Sequence, residues 1–232
     1  MLVIVGSGEY LPRMEPVDSE LIRRLGEPAR VVCLPTAAGL EGDERIHYWS
    51  QLGIDHFTQL GATAEALPVI DRASAQNVAY AKRIEAANFV YLSGGNPAHL
   101  YDSLNNTPVW DAIKGVLDRG GVVAGCSAGA MIMGEKFFGF PGWHTGFNFL
   151  PRVTVIPHFD EISDRILGMV NPIRSVFANS LTLVGVDGYT GLVKTGSGSD
   201  ARYEVLGTGG VTVWNNAQKT RYTQGALPTG IF

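Results

Sequence analysis

The stretch VVAGCSAGAMIMG, residues 122–134, decides the fold. It opens as an unbroken apolar run and closes in apolar helical spacing, with a turn of small residues between. A continuous apolar run marks a strand covered on both faces. Two nucleophiles, Cys126 and Ser127, sit in the turn. A nucleophile elbow requires small residues two before and two after the attacking side chain, because the strained turn presses their backbones together. Ser127 has Gly125 and Gly129 at those places, and Cys126 has Ala124 and Ala128. Glycine tolerates the approach better than alanine. Cys126 also continues the apolar run, where a buried thiol packs well. Both points favour Ser127, although the same spacing fits a turn that only packs a helix closely on a sheet.

Working outward, the scheme of apolar strand followed by small residues recurs. LVIV (2–5) runs into GSGEYLP, RVVCLPTA (30–37) into a glycine-containing loop, and NFVYLSGGN (88–96) into a proline. Residues 18–25, 43–53, 75–87 and 97–118 carry helical spacing between these strands, with Pro97 or Pro108 marking a helix start. The βαβα order predicts a three-layer, doubly wound, mostly parallel α/β sheet. RVTVIPHF (152–159) reads as a strand leading into a helix around 160–172. LTLVGVDGYTGLVKTGS (181–197) and YEVLGTGGVTVWNN (203–216) read as paired strands, an antiparallel extension of the same sheet. No linker divides the chain, so residues 1–232 are expected to form one domain.

Composition narrows the function. The net charge of −4 is spread without a basic cluster, which disfavours nucleic acid and anionic membranes as partners. No run approaches the roughly 18 apolar residues of a membrane span. Cys33 and Cys126 lie on separate apolar runs, which suits two buried thiols in a reducing compartment and a cytoplasmic protein.

In an α/β sheet, ligands bind beyond the carboxyl ends of the strands. SGGN, GCSAGA and PHFD all fall at such ends. The N–H groups of Gly94, Gly95 and Asn96, with that of Ala128, are candidates for an oxyanion hole. Asn96 equally suits a helix cap. Of the five histidines, His158 is the best base, since it closes a strand and serine needs a base to become nucleophilic. His47 and His56 flank a helix expected to be largely solvated. His99 follows SGGN and is placed to line the cleft, and His144 lies in an aromatic loop, FFGFPGWHTGFNF (137–149), suited to a lid.

GCSAGAMIMG, preceded by VYLSGGN and followed by VIPHFDE, resembles the serine peptidases of the dipeptidase E and cyanophycinase family, which has the class I glutamine amidotransferase-like fold. The tail YEVLGTGGVTVW is also similar, so the likeness runs from about residue 88 to 214. It implies a Ser–His–acid hydrolase cleaving peptide or isopeptide bonds next to aspartyl residues, with no metal or cofactor. It assigns Ser127 as nucleophile, His158 as general base, and the Gly94–Asn96 loop with Ala128 as the oxyanion region. The acid of a GIDE-like stretch falls where this chain has GVDGYT (185–190). Asp187 is therefore the leading third member, with Asp160 behind it and Glu161 and Glu135 as weaker choices. Recognition of an aspartyl carboxylate calls for a guanidinium in the cleft. Arg165 and Arg174 are the candidates, although the preceding acids Asp160, Glu161 and Asp164 would oppose it. The expected partner is a small peptide, and a homodimer is compatible with the sequence. Two other readings compete: a ligand-binding relative with a decayed triad, motivated by Gly188, and an amidotransferase-like hydrolase based on Cys126.

Overall fold

The computed structural model describes residues 1–139, 142–162, 181–215 and 218–231. Arg165, Arg174, Asp164 and most of the helix expected around 160–172 lie outside these residues. The strands are β1 (Leu2–Val5), β2 (Arg30–Leu34), β3 (Thr63–Ala66), β4 (Phe89–Leu92), β5 (Val122–Cys126), β6 (Lys136–Gly139), β7 (Gly142–Thr145), β8 (Val153–Ile156), β9 (Thr182–Val186), β10 (Thr190–Thr195), β11 (Arg202–Gly207), β12 (Val211–Trp214), β13 (Lys219–Tyr222) and β14 (Gly225–Ala226). The helices are α1 (Glu15–Leu25), α2 (Asp43–Gln59), α3 (Arg72–Ala75), α4 (Val78–Ala86), α5 (Pro97–Leu104), α6 (Pro108–Asp118) and α7 (Ala128–Met131).

Eight strands form the main sheet in the order β14-β11-β10-β1-β5-β4-β2-β3. The run from β1 to β3 is parallel, while β10, β11 and β14 close the other edge antiparallel. Alternation of side chains across the pleat divides the core into two layers. Val3, Val5, Cys33, Tyr91, Ala124 and Cys126 share a cluster with Val17 and Leu21 of α1 and Phe57 of α2. Leu2, Ile4, Leu34, Leu92 and Val123 pack instead with Ile84 of α4, Leu100 of α5 and Trp110 and Ile113 of α6. The central strands are buried on both faces, the reason they read as unbroken apolar runs.

The helical spacing over 97–118 resolves into two helices, and both prolines start one. Asn106 takes φ 56°, which no helix continues, and the Thr107 hydroxyl accepts the Trp110 N–H at 3.2 Å to begin α6. The C-terminal strands do not all extend the main sheet. β9 and β12 join β8 and β13 in a second sheet of order β13-β12-β9-β8, while β10 and β11 complete the main one. The crossing occurs at residues 187–189, where the Asp187 N–H donates to Gly210 O at 3.0 Å and the Tyr189 N–H to Ser7 O at 3.0 Å. A Cβ on Gly6 would overlap the Asp187 carbonyl, so β1 can end against this corner only with glycine. Period-2 patterning identifies a strand but not the neighbour it pairs with. His56 also departs from expectation. Rather than solvated, it is buried, with Nε2 2.8 Å from Asp18 Oδ2 in the layer under α1 and α2.

Candidate active site

Ser127 stands at the carboxyl end of β5, between β1 and β4, with φ 51° and ψ −108°. This is a strained conformation for a residue with a side chain, costing about 1–3 kcal/mol, and it turns the Oγ out of the sheet. The small residues around it are needed at contact distance. A Cβ on Gly125 would overlap the Gly129 carbonyl, and one on Gly129 would lie 2.6 Å from Leu92 O. The elbow is thus a packing turn and a strained turn at once.

His158 follows β8 and also takes a left-handed backbone, φ 52° and ψ 35°. Its Nε2 lies 3.2 Å from Ser127 Oγ, placed to accept the hydroxyl proton. Nδ1 is 3.5 Å from Glu161 Oε1, brought there by the single 3-10 turn Phe159–Glu161. This contact is long and the Glu161 side chain is 67% exposed, so solvent weakens it.

The structure gives the other carboxylates different partners. Asp187, expected behind His158, is instead at the crossing between the sheets. Its Oδ2 accepts the Gly210 N–H at 2.8 Å and pairs with the Arg221 guanidinium. Asp160 Oδ1 accepts the Gly188 N–H at 2.7 Å, and Glu135 Oε2 accepts the Arg152 N–H at 2.8 Å. A Cβ on Gly188 would meet Ser7 Oγ at 3.0 Å and stand in ordinary contact with Asp160 Oδ2 at 3.5 Å.

Of the four amides expected to face an oxyanion, two have internal partners. The Gly94 N–H donates to Glu9 Oε1 at 2.8 Å, and the Asn96 N–H to Ala37 O at 2.8 Å. The Asn96 side chain caps α5 by accepting the His99 N–H at 3.0 Å. Among the described residues, the N–H groups of Gly95 and Ala128 have no acceptor. Ala128 is the first residue of α7, whose N–H lies beyond the reach of intrahelical bonding. Gly95 takes φ 141°, and a Cβ there would overlap Ala37 O, so only glycine can place its amide here.

His99 and His144 do not approach Ser127 through any described hydrogen bond. His99 Nε2 is 2.7 Å from Ile70 O, and His144 stacks on Phe137 at 5.2 Å within the β6–β7 hairpin. Glu9 also lies against the elbow, although no motif marks it. It is buried in the loop after β1, and its sole sequence signal was an acid inside a glycine-rich strand end.

Cys126 is fully buried and its thiol donates to Glu9 Oε2 at 2.9 Å. Burial, followed by the Glu9 charge, pushes this thiol well above its ordinary range. Burial also pushes the Cys33 thiol up to about 12. Both shifts disfavour the thiolate that attack requires. The native protein is therefore expected to show no fast-reacting thiol toward Ellman's reagent, and two after denaturation. One rapid native equivalent mapping to Cys126 would restore that residue as a nucleophile.

Residues 1–166 match the model of Peptidase family S51. The chain is 27% identical over 237 residues to a cyanophycinase of Trichormus variabilis, covering 95% of this chain and 74% of that protein. It superposes on the crystal structure of a peptidase from an acI-B1 Actinobacterium with a TM-score of 0.85 and 32% identity, covering 97% of this chain and 95% of that one. A Listeria monocytogenes structure described as a peptidase E protein matches with a TM-score of 0.59 and 15% identity, over 96% and 97% of the two chains, a likeness of fold.

Proposed function

The chain belongs to peptidase family S51 as a serine-type peptidase, and we propose that it cleaves short peptides or isopeptides through an acyl-enzyme on Ser127. The observation that carries this is the 3.2 Å approach of Ser127 Oγ to His158 Nε2; the adjoining Ala128 amide and that of Gly95 have no acceptor among the described residues. His158 takes the Ser127 proton as Oγ attacks the scissile carbonyl. The oxyanion then faces the N–H groups of Gly95 and Ala128, and the imidazolium returns its proton to the leaving amine. Water, deprotonated by the same imidazole, releases the acyl group. No step uses a metal or cofactor.

Glu161 is the third member in this reading, orienting Nδ1–H and favouring the imidazolium. Its exposure limits the benefit. Glu161→Gln is expected to lower kcat about tenfold, against the roughly 10⁴-fold associated with a buried triad acid. Asp187→Asn acts on stability first, lowering it by about 1–2 kcal/mol in urea unfolding, because the Gly210 and Arg221 contacts lose charge. A larger kcat loss in Asp187→Asn than in Glu161→Gln would reverse the assignment.

Likeness to cyanophycinases supports a preference for bonds next to aspartyl residues. A screen of dipeptides and aspartyl isopeptides tests it, with selective hydrolysis of the aspartyl members expected. The nucleophile is tested by fluorophosphonate labelling and mass mapping: a single adduct at Ser127 is expected, and a folded, unlabelled Ser127 would overturn the reading.

A further inference from the structure

Glu9 is a buried acid directly behind the elbow, 6% exposed, and the chemistry above gives it no role. Burying a carboxyl group is costly unless its oxygens find donors. Both do: Oε1 accepts the Gly94 N–H at 2.8 Å and Oε2 accepts the Cys126 thiol at 2.9 Å. One donor belongs to the loop after β4, and the other to the last residue of β5, directly before Ser127. The three groups are in close contact. A Cβ on Gly94 would lie 2.8 Å from Glu9 Oε1 and 3.2 Å from Ser127 Cβ.

The consequence falls on Gly95. Its neighbours on both sides have their amides held, Gly94 by Glu9 and Asn96 by Ala37 O. The peptide between them is thereby fixed, with its own N–H left without an acceptor among the described residues. An oxyanion donor works because it is already oriented before charge develops. We infer that Glu9 is a positioning residue of this site: its carboxylate ties the Gly94 amide to the Cys126 thiol, fixing the Gly95 N–H beside Ser127. The buried, protonated Cys126 thereby acquires a role as donor to the clamp.

This inference rests on the reading of Ser127 as nucleophile, and the experiment separates the two. The probe is a fluorophosphonate. Its phosphorus bonds to Ser127 Oγ as fluoride leaves, and the serine proton passes to His158. The second-order labelling rate is compared in wild type, Glu9→Ala and Glu9→Gln, with kcat and KM for p-nitrophenyl acetate alongside. Glu9→Ala is expected to slow labelling and lower kcat by roughly 10- to 100-fold, with KM within about twofold. Glu9→Gln keeps an oxygen for the Gly94 N–H and is expected to recover most of the loss, which a purely electrostatic role would not allow. Equal labelling rates in Glu9→Ala and wild type would overturn the inference while leaving Ser127 in place. If wild type itself is not labelled at Ser127, the peptidase reading falls and takes the inference with it. Should Glu9→Ala not fold, the other arm of the clamp decides. Cys126→Ala is expected to slow labelling several-fold and Cys126→Ser to restore it, and identical rates for the two would overturn the inference.

Discussion

Replacing Ser127 by alanine is expected to lower kcat by a factor on the order of 10⁴ to 10⁶, the largest effect of any single change in this protein. Serine is scarcely ionised near neutral pH, so the step depends on a base accepting its proton during attack. His158 Nε2 is 3.2 Å from Oγ, and no other described imidazole is hydrogen-bonded to it. His158→Ala should therefore fall in the same range. The double variant should be little worse than either single one, because two groups acting in one proton transfer are not additive. The Gly95 and Ala128 amides would persist, leaving a residual rate above the uncatalysed one. Steady-state kinetics on a hydrolysed dipeptide, with thermal unfolding as a control, provides the check. A Ser127→Ala protein retaining more than about one hundredth of wild-type kcat would show that another group attacks.

Gly125→Ala is expected to lower stability by about 3 kcal/mol and to slow fluorophosphonate labelling of Ser127 by about 100-fold. The added methyl would overlap the Gly129 carbonyl, which is backbone of the helix that begins at the elbow. No rotamer change relieves a clash between a strand and the helix that follows it. The two must separate, and Ser127 lies between them. Its strained φ of 51° persists only while the surrounding packing holds it. Urea unfolding reads the first effect and the labelling rate reads the second. Unchanged values of both would mean that the glycine spacing is incidental.

The small-residue pattern behind both effects is legible in the sequence, because the elbow is local. Gly125, Ser127 and Gly129 meet through one strand end and one helical turn, a spacing that fits an elbow and a close packing turn alike. The acid behind His158 was not legible for the opposite reason. Asp187 holds the crossing from the second sheet to the main one, an outcome set by which strands pair. Glu161 reaches Nδ1 because the chain after His158 makes a 3-10 turn over Phe159–Glu161, a contact that spacing alone does not specify. Glu9 could not be found by spacing, since its donors are 85 and 117 residues away in the chain.

By itself the sequence determined the parallel α/β core, the turn of small residues around Ser127, and His158 just past a strand end. Each follows from periodicity or from short-range backbone geometry, which neighbouring residues carry among themselves. The tertiary structure decided the partition of the C-terminal strands, the partners of the four carboxylates, and which loop amides keep a free N–H among the described residues. Those depend on hydrogen bonds between distant segments, and a buried donor or acceptor takes whichever partner packing brings within reach.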